Sequence, residues 1–165
     1  SDLVSTSGDV ISSNNIKMSK IEFSDQYFMQ QALKQAVEAY DKDEVPVGAV
    51  VVSQGQIIAK AHNLTETLVD VTAHAEMLAI TASAQTLGGK YLNNCVLYVT
   101  VEPCPMCAGA LNWAQVGKVV YGAADPKRGC FRHQPTILHP KTEVVQGVLG
   151  DEASDLMKRF FAAKR

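Results

Sequence analysis

The chain has 165 residues, 47% of them hydrophobic and 19% charged, with a net charge of −2. That length fits one domain with one substantial core, and no apolar run approaches the roughly 18 residues that a membrane-spanning helix requires. The mild acidity argues against a general nucleic-acid binder. No charged-then-apolar leader opens the sequence, so the expectation is a cytoplasmic protein whose four cysteines are free thiols or metal ligands rather than a disulfide framework.

Residues 1–20 are rich in Ser, Asn and Asp and show no sustained period; they read as an N-terminal extension or remnant, with Met18 a candidate native start. From Ser24 the spacing of Met29, Leu33, Ala36, Val37 and Tyr40 predicts an amphipathic helix ending near Asp41. Val47 to Val52 and Ile57 to Ala61, around a turn at Gln54-Gly55-Gln56, read as a β-hairpin. A polar loop over 63–71 contains Asn63. Thr72 is the expected N-cap of a helix running to about Leu87, where Gly88-Gly89 stops it. Cys95 to Val101 is apolar enough for a central strand. A helix from Pro105 to Trp113 follows, and then a strand from Lys118 to Gly122. The loop-rich stretch 123–143 leads to a short strand at Val144-Val145 and a C-terminal helix from about Asp151. Alternating strands and helices after one hairpin predict an α/β fold, a three-layer α/β/α sandwich on a five-stranded mixed sheet.

Charge is unevenly spread. Residues 126–165 carry eight Lys and Arg against four acids, a net of +4, where residues 1–125 carry −6. This fits either a basic face for phosphates or the ordinary solvated surface of a terminal helix.

Two motifs fall at expected helix starts: Thr72-Ala73-His74-Ala75-Glu76 and Glu102-Pro103-Cys104-Pro105-Met106-Cys107. C-x-x-C at a helix N-terminus lets both sulfurs face one metal, with the helix dipole favouring thiolates. Alone, the pair is ambiguous between metal binding, redox exchange and coincidence. His74 and Glu76, two residues apart, point to different faces within a helix, so joint action requires a metal off the helix end. One His and two Cys leave the fourth position of a tetrahedral zinc to water, the mark of a catalytic site, and Glu76 is placed to move that water's proton. Singly, a first-turn His or Glu more often caps the helix or answers its dipole. Together, H-x-E followed by P-C-x-x-C is the signature of zinc nucleobase deaminases. Cys95 is expected to pack as a small apolar residue, and Cys130, in a loop with Arg128, Arg132 and His133, reads as a reactive thiol or, the favoured reading, as a residue without a role. His62, His133 and His139 are the remaining histidines that a four-ligand structural site would have to draw on, and none has ligand-like spacing to the Cys pair.

With these motifs the chain resembles the cytidine deaminase-like zinc enzymes, and within them the bacterial tRNA-specific adenosine deaminases. The narrower likeness rests on Glu44-Val45-Pro46-Val47-Gly48-Ala49-Val50, His62-Asn63 and Val120-Tyr121-Gly122-Ala123-Ala124-Asp125-Pro126-Lys127, and the likeness extends over residues 21–165 as one deaminase domain. The resemblance implies hydrolytic deamination of the wobble adenosine to inosine in a tRNA anticodon, an arginine tRNA being the expected substrate. It implies one zinc ion per subunit on His74, Cys104 and Cys107, with Glu76 as the proton shuttle serving N1 and the departing ammonia. Asn63, Ala75, Pro103, Asp125 and Lys127 are the implied substrate contacts. It further implies a homodimer, a sheet whose last two strands are parallel, and an RNA loop bound across both subunits near the basic tail. After Lys127 the chain departs from the family's small-residue stretch, with Arg128-Gly129-Cys130-Phe131-Arg132-His133 in its place. Two rivals stand beside this reading. One is a deaminase of a free base or nucleotide, of guanine or cytosine type, using the same zinc chemistry. The other is a zinc-stabilised binding module without turnover.

Overall fold

Runs of β-branched residues bounded by turn formers build the sheet of the protein, for which a computed structural model describes residues 13–164, with side chains from Asp25 onward. The elements in order are α1 (Ser13–Asp41), β1 (Gly48–Ser53), β2 (Gln56–His62), α2 (Ala75–Leu87), β3 (Cys95–Val101), α3 (Pro105–Ala114), β4 (Lys118–Ala123), a 3-10 turn (Cys130–Arg132), β5 (Glu143–Val145) and α4 (Gly150–Ala163). The strands lie in the order β2-β1-β3-β4-β5. β1 pairs antiparallel with β2 and β3, while β3, β4 and β5 run parallel. This is the expected five-stranded mixed sheet with its last two strands parallel.

Strand alternation divides the core in two. Ala49, Val51, Leu97, Val99, Val119 and Tyr121 face one side, where α2 and α3 supply Ala75, Ala79, Ala108 and Leu111. Val50, Val52, Tyr98 and Val120 face the other, against Met29 and Ala32 of α1 and beside Leu149 at the start of α4. Most of β1 and β3 is buried on both faces, so their valines contribute about 1.5–3 kcal/mol each. Among the described residues, no helix is long and apolar enough to cross a membrane.

Helix α1 lies close against β1. A Cβ on Gly48 would stand 2.1 Å from the Ala32 carbonyl oxygen and 2.4 Å from the Ala36 nitrogen, both backbone atoms that cannot rotate away. Gly48→Ala is therefore expected to destabilise the fold by about 3 kcal/mol, read as a lowered midpoint in urea with little change in m-value.

Two boundaries and one further element differ from expectation. Within the described residues α1 already runs from Ser13, ahead of the expected start at Ser24, and no Gly or Pro interrupts residues 13–41. α2 starts after His74, not Thr72. Asp70 is the reason: its Oδ1 accepts from both the Thr72 N–H (2.8 Å) and the Thr72 hydroxyl (2.7 Å), which engages Thr72 in an Asx turn before the helix begins. The 3-10 turn was expected only as loop.

Candidate active site

The sheet brings four chain segments to one edge. His62 pairs with Gly48, Ala49 with Val99, and Val101 with Ala123, so the residues just beyond these positions share one end of the sheet. α3 begins directly after β3, and the loop 63–74 returns the chain to the start of α2.

His74 and Cys104 are both N-cap residues. Their backbones are extended (φ −73°, ψ 154° and φ −74°, ψ 168°), and neither side chain caps its own helix. Each is thus free to point off the helix end, which the two-residue spacing of His74 and Glu76 requires. Cys107 follows one turn into α3 and is fully buried. The His74 Nδ1 lies 3.6 Å from the Cys104 Sγ and 3.5 Å from the Cys107 Sγ. Ligand bonds of about 2.3 Å to sulfur and about 2.05 Å to nitrogen, set at a tetrahedral angle, place the donors about 3.6 Å apart. The donor set and its spacing fit zinc. Among the described residues, His74, Cys104 and Cys107 are the one group of this kind.

Electrostatics agree with a cation-seeking site. The Cys104 thiol is pulled down to about 4, chiefly by the hydrogen bond from Cys107, against the opposing effect of burial and with help from His74. The Cys107 thiol is pushed up by that same bond and by burial. His74 is raised by its hydrogen bond with Cys104. Glu76, at the second position of α2 and 4% exposed, has its carboxyl pushed up to about 7 by burial, with the sulfurs close by. A carboxyl poised near neutrality can both take and return a proton.

His74, Glu76 and Cys104 line a cleft of about 980 Å³, with Cys107 buried out of it. One wall comes from Val45, Val47, Asn63, Thr65 and Val71, the other from Ala123 to Arg128 with Arg132 and His133. Met157 and Phe161 of α4 close the third side.

Residues 23–123 match the cytidine and deoxycytidylate deaminase zinc-binding region. The chain is 47% identical over 146 residues to the tRNA-specific adenosine deaminase of Bacillus subtilis, covering 86% of this chain and 91% of that protein. The chain belongs to the tRNA-specific adenosine deaminase family. A solved structure from work on A-to-I editing by tRNA:A34 deaminases at the wobble position superposes with a TM-score of 0.74 at 43% identity, over 79% of this chain and 98% of that one. A guanine deaminase from Bacillus subtilis shares 42% identity over 59% of this chain and 63% of its own, with a TM-score of 0.57.

In this deaminase the expected substrate contacts are unequally placed. Asn63, Ala75, Asp125 and Lys127 all line the cleft. Asn63 is buried, its Oδ1 accepting from the Thr65 N–H (3.3 Å) and its Nδ2 donating to the Val45 carbonyl (3.4 Å). Asp125 organises the rim: its Oδ1 accepts from the N–H groups of Lys127 (3.2 Å) and Arg128 (3.0 Å). Pro103 is buried behind Cys104, its carbonyl taken by the Cys130 N–H at 2.8 Å, so it shapes the entry into α3. Cys130 is buried with its thiol pushed up to about 12 by burial and the neighbouring Glu102, which makes it inert. His62 is held between Gln35 and Lys42, away from the metal group.

Sequence reasoning missed Glu44, Glu102, Met157 and Phe161. Glu102 is buried and accepts from the backbone N–H groups of Asp125 and Phe131, both at 3.0 Å. A Cβ on Gly129 would meet its Oε2 at 1.9 Å, so this carboxylate and that glycine together set the rim of the cleft. The available signal was a charged residue between an apolar strand and a metal motif. For α4, the signal was an apolar stripe wider than the core needs: Ala153, Leu156 and Phe160 are buried, while Met157 and Phe161 sit one position round, toward the cleft.

Proposed function

We propose that this chain deaminates the wobble adenosine of a tRNA anticodon, an arginine tRNA, to inosine by hydrolysis. It acts in the cytoplasm as a homodimer with one zinc ion per subunit. The observation that carries the reading is high identity held over most of both chains, 47% and 43% to tRNA deaminases over 86% and 79% of this chain, whereas a guanine deaminase of comparable coverage is only 24% identical and the one at 42% covers 59% of the chain.

His74, Cys104 and Cys107 would hold the metal. Zinc there would supply Lewis-acid activation, lowering the pKa of the water that attacks C6 of adenine. Glu76 takes a proton from the attacking water and delivers it to N1 as the C6–O bond forms. It then takes the remaining hydroxyl proton and delivers it to the amino group as the C6–N bond breaks, so that ammonia leaves and the C6 carbonyl of inosine remains. Asn63 and the start of α2 at Ala75 hold the extruded base. Asp125 fixes the rim that presents Lys127 to the RNA, and Pro103 contributes through the turn that sets Cys104. Support for a second copy comes from exposed apolar side chains: Trp113 on α3 is 85% exposed and Val69 90%.

The rim carries Lys127, Arg128, Arg132 and His133. Arg132 also donates to the Lys127 carbonyl, which ties the basic groups together. Binding of an anticodon stem-loop is expected to weaken as salt rises, and Arg128→Ala with Arg132→Ala to lower the slope of log K against log salt by about 1 to 2. An unchanged slope would remove both arginines from the RNA interface. The function itself is tested by offering the protein guanine, cytosine and cytidine beside the stem-loop. Ammonia release from the RNA alone is the expected result, and turnover of a free base alone would transfer the protein to the rival class.

A further inference from the structure

Glu44 is fully buried between the end of α1 and the start of β1, in a position the metal chemistry does not use. Its carboxylate is bound entirely by one turn of the loop 63–74. Oε1 accepts from the Glu66 N–H (3.0 Å) and the Thr65 hydroxyl (3.5 Å). Oε2 accepts from the Thr67 N–H and the Thr67 hydroxyl, both at 2.6 Å. Burial works to raise its pKa, but the hydrogen bonds from Thr67, Glu66 and Thr65 outweigh it and hold the carboxyl below the ordinary range. Such charge-assisted bonds to backbone donors are short and strong, and a neutral residue would not replace them.

The loop so held has a site residue at each end. Asn63 stands at its start, with its Oδ1 on the N–H of Thr65, the residue whose hydroxyl reaches Glu44. At its far end Ala73 accepts from the Leu64 N–H at 3.0 Å, immediately before His74. The Asn63 Nδ2 donates back to Val45, the neighbour of Glu44 in sequence. Both Asn63 bonds are long, so the carboxamide is oriented by where the loop lies rather than by tight bonds of its own.

We infer that Glu44 is a positioning residue for deamination: by clamping residues 65–67 it fixes the Asn63 carboxamide relative to His74, and so the base relative to the metal group. The inference rests on the reading of Asn63 as a base contact. Misplacing a substrate by about 1 Å costs up to about a hundredfold in rate, and that loss belongs to kcat more than to KM, since the rim and its phosphate contacts lie on other segments.

The test is a double-mutant cycle on an anticodon stem-loop with Glu44→Gln, Asn63→Ala and the combined variant, each assayed for kcat, KM, zinc content and thermal melting. Glu44→Gln is expected to keep zinc and to lose roughly 10- to 100-fold in kcat with KM little changed. In the Asn63→Ala background the same substitution is expected to cost almost nothing further. Full activity of Glu44→Gln, or losses that multiply in the combined variant, would overturn the inference. Full activity of Asn63→Ala would overturn it together with the role of Asn63, while inosine formation by the wild type would leave the proposed function standing. If Glu44→Gln does not fold, the exposed Thr67 decides: Thr67→Val, which removes one donor, is expected to lower kcat about threefold, and Thr67→Ser to recover most of that loss. Equal kcat for Thr67→Val and wild type would then overturn the inference.

Discussion

Glu76→Gln is expected to lower deamination of the anticodon stem-loop by about 10²- to 10⁴-fold while the protein stays folded and keeps its metal. Gln preserves the shape of the side chain in a site where Glu76 is almost wholly buried, so the substitution opens no cavity. It removes the one group beside the metal ligands whose carboxyl, pushed up to about 7 by burial, can take a proton and return it. A buried carboxylate also carries a desolvation cost that an amide lacks, so Glu76→Gln is expected to melt at or above the wild-type temperature. Loss of activity with retained zinc and unchanged or raised stability is the combination that separates a proton shuttle from a structural residue. A zinc-stabilised binding module predicts the opposite, with function intact. Stem-loop turnover, zinc content and calorimetry on the same preparation check all three.

The second large effect concerns the metal. Cys107→Ser is expected to lose zinc and to reduce turnover by at least about a thousandfold, because activation of water depends on the ion. Serine is a poor zinc ligand at neutral pH, and the position is fully buried at the start of α3. The remaining pair, His74 and Cys104, cannot close a tetrahedral site. Since ligand binding to the folded state contributes to its stability, the variant is also expected to melt lower, and added zinc is expected to raise the melting temperature of the wild type but not of the variant. A variant that retains stoichiometric zinc and wild-type turnover would remove Cys107 from the ligand set.

The hairpin, the central strand and the metal motif were legible in the sequence because each is specified locally. Gly55 with flanking glutamines sets a turn between two apolar runs, and Pro105 at the first position of α3 marks where the helix after Cys104 begins. Thr72 misled because its hydroxyl has two uses, and Asp70, two residues earlier, settles which one is taken. The 3-10 turn at Cys130 could not be read locally, since its bonds run to Pro103 and Glu102 more than 25 residues away. Glu44 and Glu102 both stand within the motif stretches, but their roles were illegible for a related reason. In sequence each is a charge beside an apolar run, which ordinarily means a solvated surface, and only the fold shows that backbone donors from a distant loop surround each of them. Phe161 and Met157 belong to the helix farthest in sequence from the motifs, and the sheet order is what brings α4 to the cleft.

The central claim is that the cleft above His74, Cys104 and Cys107 converts a wobble adenosine. It is tested most directly by incubating the zinc-loaded protein with a tRNA anticodon stem-loop, digesting the RNA to nucleosides and identifying the base at the wobble position. Inosine there, with every other adenosine unchanged and no conversion by Glu76→Gln, is the predicted result. Adenosine left intact at the wobble position, with guanine or cytidine consumed under the same conditions, would contradict it.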